Sequence, residues 1–104
     1  MKKDLLNIIK HYGIEKQKRK FGEETDELKE AIIIYELKKS VEYEIPLTEL
    51  ICSKEHIAEE IADVLVMLEQ FRLYYGISMK DVKNVMDFKI NRQLGRIKEE
   101  NEKV

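Results

Sequence analysis

The residues best equipped for chemistry lie in two short acidic clusters, Glu23-Glu24-Thr25-Asp26-Glu27 and Glu59-Glu60-Ile61-Ala62-Asp63. Glu24 and Glu27 are three apart, as are Glu60 and Asp63, and on a helix such residues share a face. The first face continues through Leu28, Ala31 and Ile34, the second through Val64, Met67 and Phe71. These are core-type residues, so the four carboxylates are expected to point into a helical bundle rather than only toward water. Buried carboxylates are costly unless protonated, paired or metal-bound, and hard divalent cations take oxygen ligands of this kind. Such a cluster would hold Mg²⁺ or Mn²⁺ weakly alone and better with a polyphosphate completing the shell. An ion there would neutralise phosphate charge and activate a water for attack on phosphorus. Positive side chains for the remaining phosphate charge are available in Lys89, Arg92 and Arg96, spaced three and four apart, and in Lys18, Arg19 and Lys20 ahead of the first cluster.

The elements that must position these groups are helical. Asp4 to about Tyr12 is predicted as a short amphipathic helix, which Gly13 interrupts or bends. A second helix, Ile14 to about Lys39, carries the first acidic cluster. Gly22 lies inside it, at a cost of about 1 kcal/mol relative to Ala, and is either a close approach or a harmless exposed glycine. Residues 40–52 read as a connecting loop with at most one helical turn near Thr48 to Ile51; Val41 to Ile45 alternates, but no second strand is evident to pair with it. Ser53 is a fair N-cap for a third helix running to about Tyr75 and ending at Gly76, a typical residue beyond a helix C-cap. That helix is apolar around much of its girth, from Ile57 through Leu68. A helix apolar on most sides is buried on most sides, which predicts self-association. Ser78 and Asp81 form a capping-box pattern opening a last helix with Val82, Val85, Met86, Phe88 and Ile90. Short connections join long helices antiparallel, so the expected fold is a single all-α domain over residues 1–104. It is an antiparallel bundle of one short and three long helices, completed by oligomerisation.

Composition bounds the function. At 104 residues, 43% hydrophobic and 38% charged, the chain suits long solvated helices. A net charge of −2 gives no general basic footprint for nucleic acid. The single Cys52 cannot form an intrachain disulfide, as expected in a reducing cytoplasm. The apolar run Leu5 to Ile9 is too short and interrupted for a signal peptide, and no stretch approaches a membrane span. A di-iron carboxylate bundle needs Glu-x-x-His on two helices, but Ser53 stands three before His56 and Ile8 three before His11. Both histidines read as surface residues, and Tyr12, Phe21 and Tyr35 as core or interface. No phosphate-binding loop, dinucleotide fingerprint, zinc site or cysteine nucleophile is evident.

At these residues the chain resembles the MazG-like all-α nucleoside triphosphate pyrophosphohydrolases, a superfamily that includes dimeric dUTPases and phosphoribosyl-ATP pyrophosphohydrolases. The likeness rests on Glu23-Glu24-x-x-Glu27 followed by Glu60-x-x-Asp63, with Gln17-x-x-Lys20 upstream and Lys89 with Arg92 in the last helix, and it covers roughly Gln17 to Arg96. It implies Mg²⁺-dependent conversion of an NTP or dNTP to monophosphate and pyrophosphate, as in the house-cleaning of nucleotide pools. By the same resemblance Glu24, Glu27, Glu60 and Asp63 are metal ligands, with Glu23 a further ligand or water-orienting group, so that Glu23 and Glu24 stand as catalytic. Lys89 and Arg92 contact phosphate, with Gln17, Lys20 and Arg96 as further substrate-binding candidates. A homodimer or homotetramer is implied. The spacer between the acidic motifs is long, and Val66-Met67-Leu68 lacks the Tyr-His pair associated with the phosphoribosyl-ATP branch, which leaves that branch as an alternative. A helical regulatory module that kept the fold without turnover is another.

Overall fold

The computed structural model describes residues 1–103, which form four α-helices and, among those residues, no strand. They are α1 (Lys2–Tyr12), α2 (Ile14–Ser40), α3 (Leu47–Tyr74) and α4 (Met79–Glu102), one short and three long as the periodicity predicts. Gly13 parts α1 from α2 with φ 87° and ψ 151°, a backbone region open essentially only to glycine. The chain therefore changes direction there instead of extending one helix. Gly76 ends α3 with φ 68°. The Gly76 N–H donates to the Leu73 carbonyl at 3.2 Å and the Ile77 N–H to that of Arg72 at 3.0 Å, the paired bonds that close a helix on a left-handed residue. Ser78 then caps α4, its Oγ accepting from the Asp81 N–H at 3.1 Å.

The connection between α2 and α3 is shorter than expected, and Ser53 is not a cap. The turn occupies 41–46, and α3 starts at Leu47, directly after Pro46 with ψ 140°. Ser53 lies buried inside the helix, and its Oγ donates to the carbonyls of Leu50 at 3.0 Å and Glu49 at 3.2 Å. Leu50 and Ser53 are buried on the same stripe as Glu60 and Met67, so packing against α2 draws the helix back through the segment read as loop.

α1, α2 and α3 pack on one another, and the α2–α3 pairing is the most extensive. Three contacts fix its antiparallel register. Gln17 bonds Gln70, Glu24 meets Asp63, and Lys38 pairs with Glu49 at 3.4 Å. Each step along α2 is matched by an equal step back along α3. The buried residues are Ile9, Ala31, Leu50 and Met67 together with Gln17, Ser53, Glu60 and Gln70. The interior is thus as polar as it is apolar, and its polar members lie on α2 and α3.

α4 stands apart. It packs along none of the other helices, and Val82 alone on it is even half-buried. The Cα radius of gyration is 18.3 Å, against about 13 Å for a compact chain of this length. Exposed apolar residues line α4 at Val85, Met86, Phe88, Ile90, Leu94 and Ile97, and α3 at Ile61, Leu65, Val66 and Leu68. No described helix is long and apolar enough to cross a membrane.

Candidate functional site

The register of α2 on α3 brings the two acidic clusters together. One oxygen each from Glu24, Glu60 and Asp63 lies within 4.8 Å of the others. Their depths differ: Glu60 is buried at 7% exposure, Glu24 is half-buried and Asp63 is exposed at the rim. Glu27 is also exposed. It lies outside the tight trio, yet its charge acts on both Glu24 and Glu60. The expectation that all four carboxylates point inward therefore holds for Glu60 and in part for Glu24. Glu23 faces solvent on α2.

The electrostatics of this group are unfavourable without a cation. Burial, first, and then the charges of Glu27, Asp63 and Glu60 hold the Glu24 carboxyl above its ordinary range. Glu60 is raised likewise, by burial and then by Glu27 and Asp63, with His56 opposing. Oε2 of Glu24 and Oε2 of Glu60 are buried with no hydrogen-bond partner. Among the described residues neither Glu24 nor Asp63 has an ion-pair partner, and Glu60 has only His56, whose Nε2 lies 3.7 Å from Oε1. Buried acceptors left without a partner are uncommon and call for an explanation such as a bound ion. The donors are all hard carboxylate oxygens, which suits Mg²⁺ or Mn²⁺.

A cleft of about 160 Å³ opens beside the trio. Glu24 and Asp63 line one end; Ile8, Gln17, Lys20, Val66, Met67 and Gln70 line the rest. Of the three cations before the first cluster, Lys20 alone reaches this cleft. Lys18 pairs with Glu15 at 2.8 Å, and Arg19 is exposed. Gln17 is buried, with its Nε2 donating to Gln70 Oε1 at 2.8 Å. Phe21 packs edge-on against Phe71 with centroids 5.5 Å apart, bracing the two helices alongside. Within one chain Lys89, Arg92 and Arg96 are not brought to the carboxylates. They lie on exposed α4, where the Arg92 guanidinium sits 5.7 Å from the centroid of the Phe88 ring. Gly22 has open space where a Cβ would stand, so no neighbour within the chain requires glycine there.

Two participants escape a reading of the sequence. His56 is exposed, as expected, but reaches Glu60 from one helical turn away, a spacing of four that could have signalled the contact. Gln70 lies seven residues beyond Asp63 on the same face, where its type alone gives no signal. No known protein family, curated protein or solved structure matches the chain.

Proposed function

We propose that the chain is a metal-dependent nucleoside triphosphate pyrophosphohydrolase of the MazG-like kind, with Glu24, Glu60 and Asp63 as ligands to Mg²⁺ and Glu27 as a fourth, outer carboxylate. One observation carries the reading: two buried carboxylate oxygens without partners, in a trio whose members repel one another. A cation is the simplest addition that satisfies both. When bound, Mg²⁺ would supply positive charge for a polyphosphate and acidify a coordinated water.

The remaining roles fall to this chain's own side chains. Lys20, on the cleft wall, holds phosphate charge. Glu23, exposed next to Glu24 and outside the cleft lining, is either a further ligand or the group that orients the attacking water and accepts its proton on the carboxylate. Water oxygen adds to the α-phosphorus, the bond from that phosphorus to the bridging oxygen breaks, and the electron pair leaves with pyrophosphate. Phe21 and Phe71 hold the two helices in register, so the carboxylates keep their spacing as charge changes.

The same reading takes the chain as a homodimer or homotetramer. It is supported by the uncovered apolar stripes of α3 and α4 and by the extended shape. Packing of that kind is also what would bring Lys89, Arg92 and Arg96 to bear on substrate. A panel of NTPs and dNTPs with Mg²⁺ tests the activity. At least one should yield its monophosphate and pyrophosphate. Glu60→Gln keeps size and helix propensity but removes a charge, and should reduce turnover on the order of 100-fold or more. Orthophosphate and diphosphate as products would refute the reading. No turnover with metal binding intact would favour a regulatory module instead.

A further inference from the structure

We propose that the end of the α2–α3 hairpin where α1 joins α2 binds single-stranded nucleic acid. Lys10, Lys16 and Arg19 hold phosphates there, and the aromatic pairs His11–Tyr12 and Tyr74–Tyr75 stack on bases. This surface is separate from the carboxylate trio and does not depend on the nucleotide reading above.

Charge is the first observation. The net charge of −2 hides an uneven distribution. Residues 1–20 hold seven of the 19 lysines and arginines but only two of the 21 acidic residues, Asp4 and Glu15. Both acids are engaged, Asp4 with the N-terminal amine at 3.9 Å and Glu15 with Lys18 at 2.8 Å. On α3, Glu69 is held by Arg72 at 2.7 and 3.0 Å. Lys10, Lys16 and Arg19 are exposed and, among the described residues, have no ion-pair partner. Lys16 and Arg19 are three apart and so share a face of α2. Clustered cations of this kind are the electrostatic footprint that nucleic acid requires. Lys20 turns instead into the cleft.

The second observation is aromatic. Gln17 faces Gln70 and Glu24 faces Asp63, so one further turn sets Gly13 opposite Tyr74. The joint between α1 and α2 therefore lies beside the end of α3, and two exposed aromatic pairs come together there. His11 and Tyr12 stand edge-on with centroids 4.7 Å apart, and Tyr74 and Tyr75 likewise at 5.0 Å. Lys16 Nζ lies 4.9 Å from the centroid of the Tyr12 ring, and Tyr75 is near enough to Lys18 to act on its charge. Rings and cations thus alternate over one surface. Single strands are held in this way, bases on aromatic faces and backbone along cations. Bases in a duplex are stacked on one another and offer no free face, whereas unpaired bases can be splayed onto aromatic side chains.

The third observation separates this surface from a lipid-binding one. A basic amphipathic helix can lie on a membrane with its apolar face in the lipid. On α1 that face is used within the chain: Ile9 is fully buried, and Leu5 and Leu6 are half-buried.

The test titrates the full chain, without metal, into fluorescein-labelled DNA and RNA of one mixed sequence, each single-stranded and as duplex, and reads fluorescence anisotropy. At low salt a single strand should bind, and more tightly than its duplex. The slope of log K against log salt should be about −2, as three phosphate contacts give. Lys16→Gln combined with Arg19→Gln should reduce that slope to about −0.7. Tyr75→Ala should weaken binding about tenfold with the slope unchanged. Lys54→Gln, on an exposed position of α3 toward the other end of the seam, should change neither quantity. Circular dichroism confirms that each variant is folded. A chain that binds no single strand overturns the proposal. Duplex binding as tight as single-strand binding, with Tyr75→Ala and Tyr12→Ala both without effect, also overturns it, since cations alone would then account for the affinity. Binding to phosphatidylserine vesicles but to no oligonucleotide would assign the surface to a membrane and overturn it too. Nucleotide hydrolysis without oligonucleotide binding removes this surface and keeps the hydrolase; oligonucleotide binding without hydrolysis does the reverse.

Discussion

The α2–α3 seam and α4 are built from similar materials and end in opposite states. Each has long helices with an apolar stripe and a generous share of charge. In the seam the stripes that α2 and α3 turn toward each other are covered, and the polar residues within them are drawn in, so that Glu60, Gln17 and Gln70 are buried, while Leu37 and Leu65 stay exposed on the outer faces. On α4 the stripe is bare, with Phe88 65% exposed and Leu94 57%. Helices of this kind owe most of their stability to packing of one face rather than to propensity. The facing stripes of the seam find their partner within the chain, whereas the stripe of α4 is left uncovered. The raised carboxylates lie where helices pack on one another, because a carboxylate acquires an unusual environment only when neighbours exclude water from it.

The largest effect that could break this contrast is assembly. If the α3 and α4 stripes are covered by further copies, light scattering at micromolar concentration should report a dimer or larger. Leu94→Asp should shift the species toward the 12.4 kDa chain. A wild-type mass at that value would mean the bare faces stay bare. Next is Arg92→Ala. Because Arg92 lies on α4 and outside the carboxylate trio, it should raise KM several-fold with a smaller loss in kcat, and an equal loss in both would place it in the transition state.

The pH response sharpens the contrast from the other side. Glu24 and Glu60 are raised above 4.5, the ordinary value for these groups. In the window above that value the folded chain binds more protons than the unfolded one, so stability falls as pH rises through the folded values. Metal-free protein should therefore lose melting temperature from about pH 4.5 upward, and Glu60→Gln should flatten part of that slope. An identical slope in the variant would show that Glu60 is not strained by its surroundings.

Smaller effects test local structure. Ser78→Ala removes the cap of α4 and should cost about 1 kcal/mol, read by denaturant titration. Gly22→Ala should stabilise by at most about 1 kcal/mol, since a Cβ there meets nothing. A destabilisation on that scale would reveal a close neighbour supplied by another copy.

Much of the fold was readable from local signals, because those signals act locally. Gly13 and Gly76 require positive φ whatever surrounds them, and Ser78 needs only the next turn to cap. Ser53 misled because a serine before an apolar run looks the same whether it caps a helix or lies within one; the packing of Leu50 decides, and that is tertiary. The acidic pairs were visible, but their depths were not. Three residues turn a helix by about 60° short of a full circle, so Glu60 sits at the centre of the seam while Asp63 reaches its rim. Gln70 carries no local signal, since its role depends on the register that sets it against Gln17.

The most direct measurement of the central claim is thermal unfolding with and without Mg²⁺ or Mn²⁺, in wild type and in Asp63→Asn. An ion that binds only the folded state at about a hundredfold its dissociation constant adds ~2.7 kcal/mol. The wild type should therefore melt several degrees higher with metal. Asp63→Asn, with an unchanged helical circular dichroism spectrum, should lose most of that rise. A wild type indifferent to metal, or a variant that responds as fully as the wild type, would contradict the assignment of Glu24, Glu60 and Asp63 as a metal centre.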